Sequence, residues 1–344
     1  MVQGVQADMN IPHRLAIFVC AFLLGSQGLL HAGGSKNEDA RAMLVRAAAL
    51  SNLDAKGNPP FKLEAKVTLH NGDGITEVSY LRLWASEDKW RIETSAPDFH
   101  SLNGKDGDKA WHVGDHPYFS FVLSETLQML DAPGRLKLNE KAGASKHSSR
   151  ESNGISMSCV QEKVKGTKGT TYCFDTDTGA LAEEDVGFPK LVRQYRDYKP
   201  FGQLSFPRSE LLYFNGTLVA EVQVQELEQE TDLSESFFKP PPGSVAQYLP
   251  VCNSHTVQAA RRIFGIQPQY PPDALRKRET GRVRFWAIVG TDGRLHQLTV
   301  LQSAGPGLDA AALQAVSRWR YQPISCDGKT VDVVTEIDVD FQLR

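Results

Sequence analysis

The stretch GRVRFWAIVGTDGRL, residues Gly281–Leu295, is the most informative part of the C-terminal sequence. Apolar residues occupy every second position from Val283 to Val289, which is the pattern of a strand with one buried face. Thr291–Gly293 reads as a tight turn, and LHQLTVLQS returns as a second strand. The stretch therefore predicts an antiparallel hairpin.

A helix is predicted on each side of this hairpin. PPDALRKRE, Pro271–Glu279, forms a short helix whose prolines fit the first turn, because N–H groups there have no intrahelical partner. A second helix is predicted over Leu308–Tyr321, where four apolar residues recur three or four positions apart. Arg318 and Arg320 would lie in its last turn, at the negative end of the helix dipole.

The final stretch, VDVVTEIDVDFQL, alternates apolar and acidic residues and predicts a third strand. The order of elements is thus α-β-β-α-β. A right-handed crossover would place the third strand beside the first, at an edge of the sheet. Its acidic side chains discourage indiscriminate pairing, while its unpaired backbone groups could accept one extended peptide.

Four motifs in this region follow, in order, the pattern of the TonB C-terminal domain family. They are QPQYP (Gln267–Pro271), GRVRFWAIVGTDGRL (Gly281–Leu295), LDAAALQAVSRWRYQP (Leu308–Pro323) and VDFQL (Val339–Leu343). The resemblance covers about residues 262–344. It implies a periplasmic protein that receives the short TonB box peptide of an outer-membrane transporter.

The same resemblance implies where that peptide would bind. Gln267 and Gln269 would offer amide groups, and Pro268 would hold the segment extended. Backbone pairing would come from the last strand, at Val333, Val334, Thr335, Glu336, Ile337 and Asp338. Tyr270 could join this site, or could instead pin the first helix to the sheet. Trp319 and Tyr321 are expected in the core.

The first 243 residues also show the period of two. FKLEAKVTLH, Phe61–His70, alternates cleanly, and Asn215–Gly216 marks the turn of a final hairpin. Helices are predicted over Asp39–Leu53 and in SETLQMLDAP, and a polar, flexible stretch is predicted for KAGASKHSSRESNG. The predicted fold class is α+β. It combines a curved antiparallel sheet with short helices and a C-terminal three-stranded antiparallel sheet with two helices on one face.

Several soft motifs in this sheet region resemble the LolA/LolB-type half-barrel of exported bacterial proteins. They are DKWRIE (Asp88–Glu93), DGDKAWHVG (Asp106–Gly114), CFDTDTGAL (Cys173–Leu181), LSFPRSELLYFNG (Leu204–Gly216) and FFKPPPG (Phe237–Gly243). The resemblance covers about residues 45–243. It implies a concave face that cups an apolar ligand such as an acyl chain or a lipoprotein. Alternatively, the sheet packs its own helices into that face.

The N-terminus has the features of a targeting segment. Arg14 precedes the apolar run Leu15–Leu30, and small residues follow it. The segment is either a cleaved signal peptide or a retained inner-membrane anchor, and both export the rest of the chain to the periplasm. The predicted organisation is residues 1–34 as signal or anchor, 39–243 as the LolA-like domain, 244–261 as linker and 262–344 as the TonB-like domain.

Export makes the cysteine count informative. Cys159, Cys173, Cys252 and Cys326 remain after the targeting segment, an even number in an oxidising compartment. Cys159 and Cys173 lie equally far from Gly166, so a hairpin centred there would place them opposite each other. We predict the pairs 159–173 and 252–326, with free buried thiols as the alternative.

Composition and motifs argue against an enzyme and against nucleic-acid binding. The net charge is -3, and the chain has no G-x-S-x-G elbow, P-loop or dinucleotide fingerprint. His112 and His116 could bind metal on a helix, but Gly114 and Pro117 favour a strand end and a turn. No cofactor, metal or nucleic acid is expected.

Two functions therefore remain open. In the first, the C-terminal domain binds an outer-membrane transporter peptide by strand addition and could couple it to a proton-driven motor complex in the inner membrane. In the second, the N-terminal half-barrel carries an apolar ligand or a lipoprotein, and the TonB-like domain only docks it. Because a folded domain replaces the long Pro-rich spacer of the TonB family, peptide recognition is better supported than energy transduction.

Overall fold

A computed structural model describes residues 36–71, 74–115, 118–131, 136, 143–152, 154–163, 169–249, 260–326 and 328–343. These divide into two compact units. Residues 36–115 and 122–249 form the N-terminal unit, while residues 118–121 and 260–343 form the C-terminal unit. None of the helices in the described ranges has the length and apolar character needed to cross a membrane.

The N-terminal unit is built on one long antiparallel sheet. Its strand order is β13-β5-β4-β3-β2-β1-β12-β11-β10-β9-β8-β7-β6, so the sheet is open, with different strands at its two edges. The strands are β1 (Phe61–Asn71), β2 (Gly74–Ser86), β3 (Lys89–Ala96), β4 (Phe99–Asp106), β5 (Lys109–Gly114), β6 (Gly143–Ser152), β7 (Ile155–Lys163), β8 (Thr170–Asp175), β9 (Leu181–Val186), β10 (Leu191–Phe201), β11 (Leu204–Phe214), β12 (Thr217–Gln229) and β13 (Gln247–Leu249).

Alternation along the central strands produces one apolar face. Every second residue of β1 from Phe61 to Leu69 is buried, and β2 and β12 present their own buried residues beside these. We call this the inner face of the long sheet. Asn215 and Gly216 both take positive φ, as a two-residue hairpin between β11 and β12 requires.

Two helices and a short 3-10 helix complete the N-terminal unit. These are α1 (Lys36–Ser51), α2 (Phe121–Met129), of which residues 122–129 belong to this unit, and Glu235–Phe238. The last is anchored by Trp111, whose indole N–H donates to the Phe238 carbonyl at 2.8 Å. The end of α1 is fixed by the Ser51 hydroxyl, which donates to the Ser205 carbonyl at 2.7 Å.

Two segments of this unit differ from the sequence prediction. KAGASKHSSRESNG was predicted to be flexible, but Gly143–Ser152 forms β6, which pairs with β7 along its length. Residues 244–261 were predicted to be a linker, yet Gln247–Leu249 forms β13 against β5. Both strands lie at sheet edges. The sequence of β6 is mostly polar and that of β13 is only three residues long, so neither shows the apolar alternation by which inner strands are recognised.

The C-terminal unit contains a three-stranded antiparallel sheet of order β16-β15-β20 and two helices. Its elements are β14 (Arg262–Phe264), α3 (Pro272–Arg276), β15 (Gly281–Val289), β16 (Leu295–Gln302), α4 (Pro306–Val316), β17 (Arg320–Tyr321), β18 (Ile324–Cys326), β19 (Lys329–Val331) and β20 (Val333–Phe341). The last strand lies beside the first strand of the hairpin, as predicted, and the α+β fold class is confirmed for both sheets.

Both helices pack on the same face of this sheet. Ala274 of α3 and Leu308, Ala312 and Val316 of α4 join the alternate residues of β15 and β20 in one buried cluster. Trp319 and Tyr321 are part of the cluster, as predicted for core residues.

The predicted end of the second helix was wrong. The helix α4 stops at Val316 rather than Tyr321, so Arg318 and Arg320 do not lie in its last turn. Arg320–Tyr321 instead forms β17 and pairs with β14. The buried Trp319 indole is hydrogen-bonded to the Ile266 carbonyl, and this tertiary contact overrides the helical periodicity.

Candidate functional site

The strand β20 presents a regular edge. It pairs with β15 without a register shift, from Gly281 opposite Phe341 to Val289 opposite Val333. In the part of the chain that the structure describes, β15 is the only strand bonded to it. The other edge of β20 is therefore the place where an extended peptide could add.

The opposite edge of the same sheet is less suited to pairing. The register between β15 and β16 shifts twice, between Arg284 and Phe285 and between Trp286 and Ile288. Gln297 of β16 has φ 53°, an unusual conformation for a residue other than glycine. Bulges of this kind twist an edge strand and discourage further pairing.

All six predicted pairing residues lie in β20. Thr335 and Ile337 point into the core, with 4% and 1% of their surface exposed. Val334, Glu336 and Asp338 lie on the opposite face, which we call the outer face of β20. Val334 is the most exposed of these, at 37%.

An ion-pair ladder crosses the outer face. Arg282 of β15 donates to Asp340 through Nε at 2.7 Å and Nη2 at 3.0 Å. Arg284 donates to Asp338 through Nε at 2.5 Å and Nη2 at 2.7 Å. The hydrogen bonds from Arg284 to Asp338 raise the pKa of that guanidinium. The ladder fixes the register of β15 and β20.

The segment Gln267–Tyr270 lies near the C-terminal end of β20. The Tyr270 ring packs edge-on against Phe341 with ring centroids 5.5 Å apart, and its hydroxyl donates to the Glu279 carbonyl. Pro268 is buried, while Gln267 and Gln269 are exposed. Tyr270 therefore ties the chain around α3 to the sheet. Whether the four residues contact a peptide stays a prediction.

Trp319 holds the chain just before this segment. Its indole N–H donates to the Ile266 carbonyl at 2.9 Å, and the Arg262 guanidinium lies 4.1 Å from the centre of the Trp319 ring. A cation over an indole face is attracted by the ring quadrupole. Trp319 was expected in the core, but its hydrogen bond to Ile266, the residue before Gln267, was not predicted from the sequence.

The inner face of the long sheet, where a ligand was expected, packs against the unit's own helices through buried ion pairs. Arg82 of β2 donates to both carboxylate oxygens of Asp54 at 2.7 Å and also to Asp131. Asp54 follows α1 along the chain, and Asp131 follows α2. Burial lowers the pKa of Arg82, but the charges of Asp131 and Asp54 outweigh this and raise it overall.

A second buried arginine ties α2 to the other half of the inner face. Arg193 of β10 donates to Glu184 of β9 at 2.7 Å and to Glu125 of α2. Arg193 is 3% exposed, so these pairs are shielded from water. The charges of Glu184 and Glu125 raise the pKa of Arg193 against the opposing effect of burial.

Glu210 of β11 is an uncompensated acid on this face. It is completely buried, and among the described residues neither of its carboxyl oxygens has a hydrogen-bond partner. Burial raises the pKa of Glu210 well above its usual value, and the nearby charge of Asp131 raises it further. Burial therefore disfavours the charged form of Glu210.

A cleft of about 630 Å³ lies between α1 and the strands β7 and β8. Met43, Leu50 and Phe174 supply apolar surface, while Arg46, Asp175 and Gln203 supply polar groups. Its volume falls within the range of about 300–1,000 Å³ that is typical of small-molecule sites.

One predicted disulfide is confirmed. Cys159 and Cys173 are directly opposite each other in β7 and β8 and form a disulfide. Cys326 is also disulfide-bonded. The predicted pairing of Cys326 with Cys252 falls on a residue outside the described ranges and stays a prediction.

Only one of the two histidines considered for metal binding lies in the described residues. His112 lies in β5 with its Nδ1 3.0 Å from the Asn103 Oδ1, and His116 is outside the described residues. Across the described ranges, no group of three His, Cys, Asp or Glu residues is arranged to hold a metal ion.

Comparison with known proteins identifies the C-terminal region. Residues 266–343 match the family model described as Gram-negative bacterial TonB protein C-terminal. Protein tonB2 of Pseudomonas aeruginosa is 33% identical over 78 residues, which are 22% of this chain and 29% of that protein. The resemblance of residues 262–344 to the TonB C-terminal domain is confirmed. The chain covers less than a third of that relative.

Solved structures similar to the chain include two bacterial proteins. A LolA superfamily protein of Nitrosomonas europaea is 8% identical, with a TM-score of 0.39, and the match covers 58% of this chain and 97% of that one. A DUF1329 family protein of Desulfovibrio piger is 12% identical, with a TM-score of 0.43 and coverage of 60% and 98%. The first belongs to the class that the N-terminal motifs resemble, and at these TM-scores neither match bears on function.

Proposed function

We propose that this chain is a periplasmic TonB-like binding protein whose C-terminal unit receives an extended peptide by strand addition at β20. The observation that carries the proposal is the regular edge of β20, bonded on one side to β15. The peptide would come from an outer-membrane transporter, as the TonB-like region implies. Binding rather than catalysis is the activity proposed.

Two features support β20 over the other sheet edge. The bulges and the left-handed Gln297 make β16 a poor template for pairing. Tyr270 packs against Phe341 near the end of β20, and the neighbouring Gln267 and Gln269 are exposed, so their amides would be available to an added strand. Coupling to a proton-driven inner-membrane motor is a further part of the proposal, and it needs an anchored N-terminus.

Strand addition predicts a specific response to backbone methylation. The probe is a nine-residue peptide of alternating Val and Thr with a polyethylene glycol tail for solubility. Only every second N–H of an added strand points toward β20. N-methylation of the peptide N–H groups that point toward β20 should weaken binding at least about tenfold, because hydrogen bonds are lost and the methyl groups clash with the strand. Methylation of the other set should leave binding nearly unchanged, as measured by calorimetry with the full chain.

Amide hydrogen exchange provides the control. The unmethylated peptide should slow exchange at alternate residues from Val333 to Asp338, and leave β16 unaffected. Equal loss of affinity for both methylated sets, or protection of β16 instead, would contradict strand addition at β20.

A second candidate function is carriage of an apolar ligand or lipoprotein by the N-terminal unit. The cleft between α1 and β8 favours it, because Met43, Leu50 and Phe174 offer apolar surface within a space of ligand size. Because the ion pairs of Arg82 and Arg193 tie α2 and the residues that follow α1 and α2 to the inner face, the ligand in this proposal occupies the cleft and not that face.

Fluorescently labelled palmitate tests the carrier function on delipidated full-length protein. Leu50→Glu puts a charge into the cleft and should weaken uptake at least about tenfold, because an unpaired charge is costly in apolar surroundings. Val45→Glu is the matched control, since Val45 is on the same helix, 54% exposed and not among the lining residues. No uptake by the wild type, or equal loss in both variants, would rule the cleft out.

A further inference from the structure

The outer face of β20 carries more negative than positive charge. Glu336, Asp338 and Asp340 follow one another at alternate positions, and they stand opposite Trp286, Arg284 and Arg282 of β15. Three carboxylates thus meet two guanidinium groups. The excess negative charge lies on the strand that a peptide would join.

Glu336 is the least neutralised of the three acids. Asp338 accepts hydrogen bonds from both arginines, and its side chain is only 6% exposed. Glu336 lies farther from Arg284, at 3.5 Å, and its side chain is 26% exposed. Burial raises the pKa of Glu336, Arg284 lowers it, and Asp338 raises it again. A further positive charge close to Glu336 would therefore be favourable.

An added strand would bring such a charge close. Directly opposed residues on neighbouring strands have Cβ atoms about 4.5–5.5 Å apart on the same face. The arginines of β15 lie on the far side of β20, about one strand spacing of 4.8 Å further away. A side chain facing Glu336 would consequently meet the carboxylate before it meets Arg284. Its two neighbours along the peptide would lie on the opposite face, beside Thr335 and Ile337.

We propose that the peptide received at β20 carries a basic residue facing Glu336, with a β-branched apolar residue on each side of it. This inference rests on strand addition at β20 and adds the chemistry of the partner. The flanking residues extend the apolar face formed by Thr335 and Ile337, and the basic residue balances the excess charge of the outer face.

Three peptides test the inference with the full chain. The central Thr of the nine-residue Val-Thr peptide is kept, changed to Lys or changed to Glu, and affinity is measured at low ionic strength. Opposite charges across strands are favourable and like charges unfavourable, so the Lys peptide should bind about tenfold more tightly than the Glu peptide. The preference should shrink as salt screens the charges.

Glu336→Gln identifies the acid responsible. It should reduce the Lys-over-Glu preference to about twofold or less while the Thr peptide still binds. Glu228→Gln, the same charge change at an exposed residue of β12, should leave the preference intact. Equal binding of the Lys and Glu peptides would overturn the charge inference alone, as would a preference that survives Glu336→Gln. Failure of all three peptides to bind would overturn strand addition as well.

Discussion

Replacing Arg82 with methionine should lower the free energy of unfolding of the N-terminal unit by about 3 kcal/mol. The guanidinium is 5% exposed and bonds Asp54 and Asp131, which follow α1 and α2. Methionine keeps much of the aliphatic volume but removes the buried cation that both carboxylates contact. Breaking a buried ion pair by removing one partner is costly because the remaining charge stays desolvated. Hydrogen exchange of the β1 and β2 amides measures the loss.

The matched control removes the whole network. A triple variant, Arg82→Met with Asp54→Asn and Asp131→Asn, carries no orphaned charge and should recover at least about half of the lost stability. Arg82→Lys keeps the charge but cannot bond two carboxylates in the geometry of a guanidinium. Its free energy of unfolding should lie between those of the wild type and Arg82→Met. If Arg82→Met lowers the free energy of unfolding by less than about 1 kcal/mol, the Arg82 ion pairs contribute no more than surface pairs do. The helices would then be held by apolar packing instead.

The sequence could have indicated that Arg82 and Arg193 are buried and paired. It could not have identified all of the acids that they pair with. Val78, Tyr80, Arg82 and Trp84 share one parity in β2, so Arg82 takes a position that otherwise belongs to buried residues. The same holds for Arg193, two positions from both Leu191 and Tyr195 in β10. A charged residue at one of the alternate strand positions that are otherwise buried indicates a buried ion pair. Glu184 lies directly opposite Arg193 in the neighbouring strand β9. The other acids, Asp54, Asp131 and Glu125, reach the arginines only through the packing of α1 and α2, which no local pattern encodes.

The C-terminal unit was more predictable because its signals are local. Alternation in β15 and β20, the turn at Thr291–Gly293 and the crossover rule together placed β20 at an edge. The prediction failed for residues 317–321, where helical spacing continues past the real end of α4. There the hydrogen bond from Trp319 to Ile266 and the pairing of β17 with β14 decide the conformation, and both partners are more than fifty residues away along the chain.

That long-range contact leads to the second large effect, expected for Trp319→Ala. Trp319 is completely buried among Phe285, Leu308 and Phe341, so truncation should cost the C-terminal unit about 4 kcal/mol. The change also removes the donor to the Ile266 carbonyl and the ring beneath Arg262. Hydrogen exchange of the β15 amides in the full chain should accelerate by about three orders of magnitude, following the loss of stability.

Trp319→Phe separates the positioning role from the packing role, and it guards against an alanine variant that fails to fold. Phenylalanine keeps an aromatic ring in the core but cannot donate to Ile266, so a loss of about 1–2 kcal/mol is expected. Exchange should rise more at residues 266–270 than in β15, and affinity for the Val-Thr peptide should fall if Gln267 and Gln269 contact it. Uniform acceleration through the unit, with affinity unchanged, would mean that Trp319 only fills the core. In that case β20 would bind the peptide without residues 267–270, and Tyr270 would only hold α3 against the sheet.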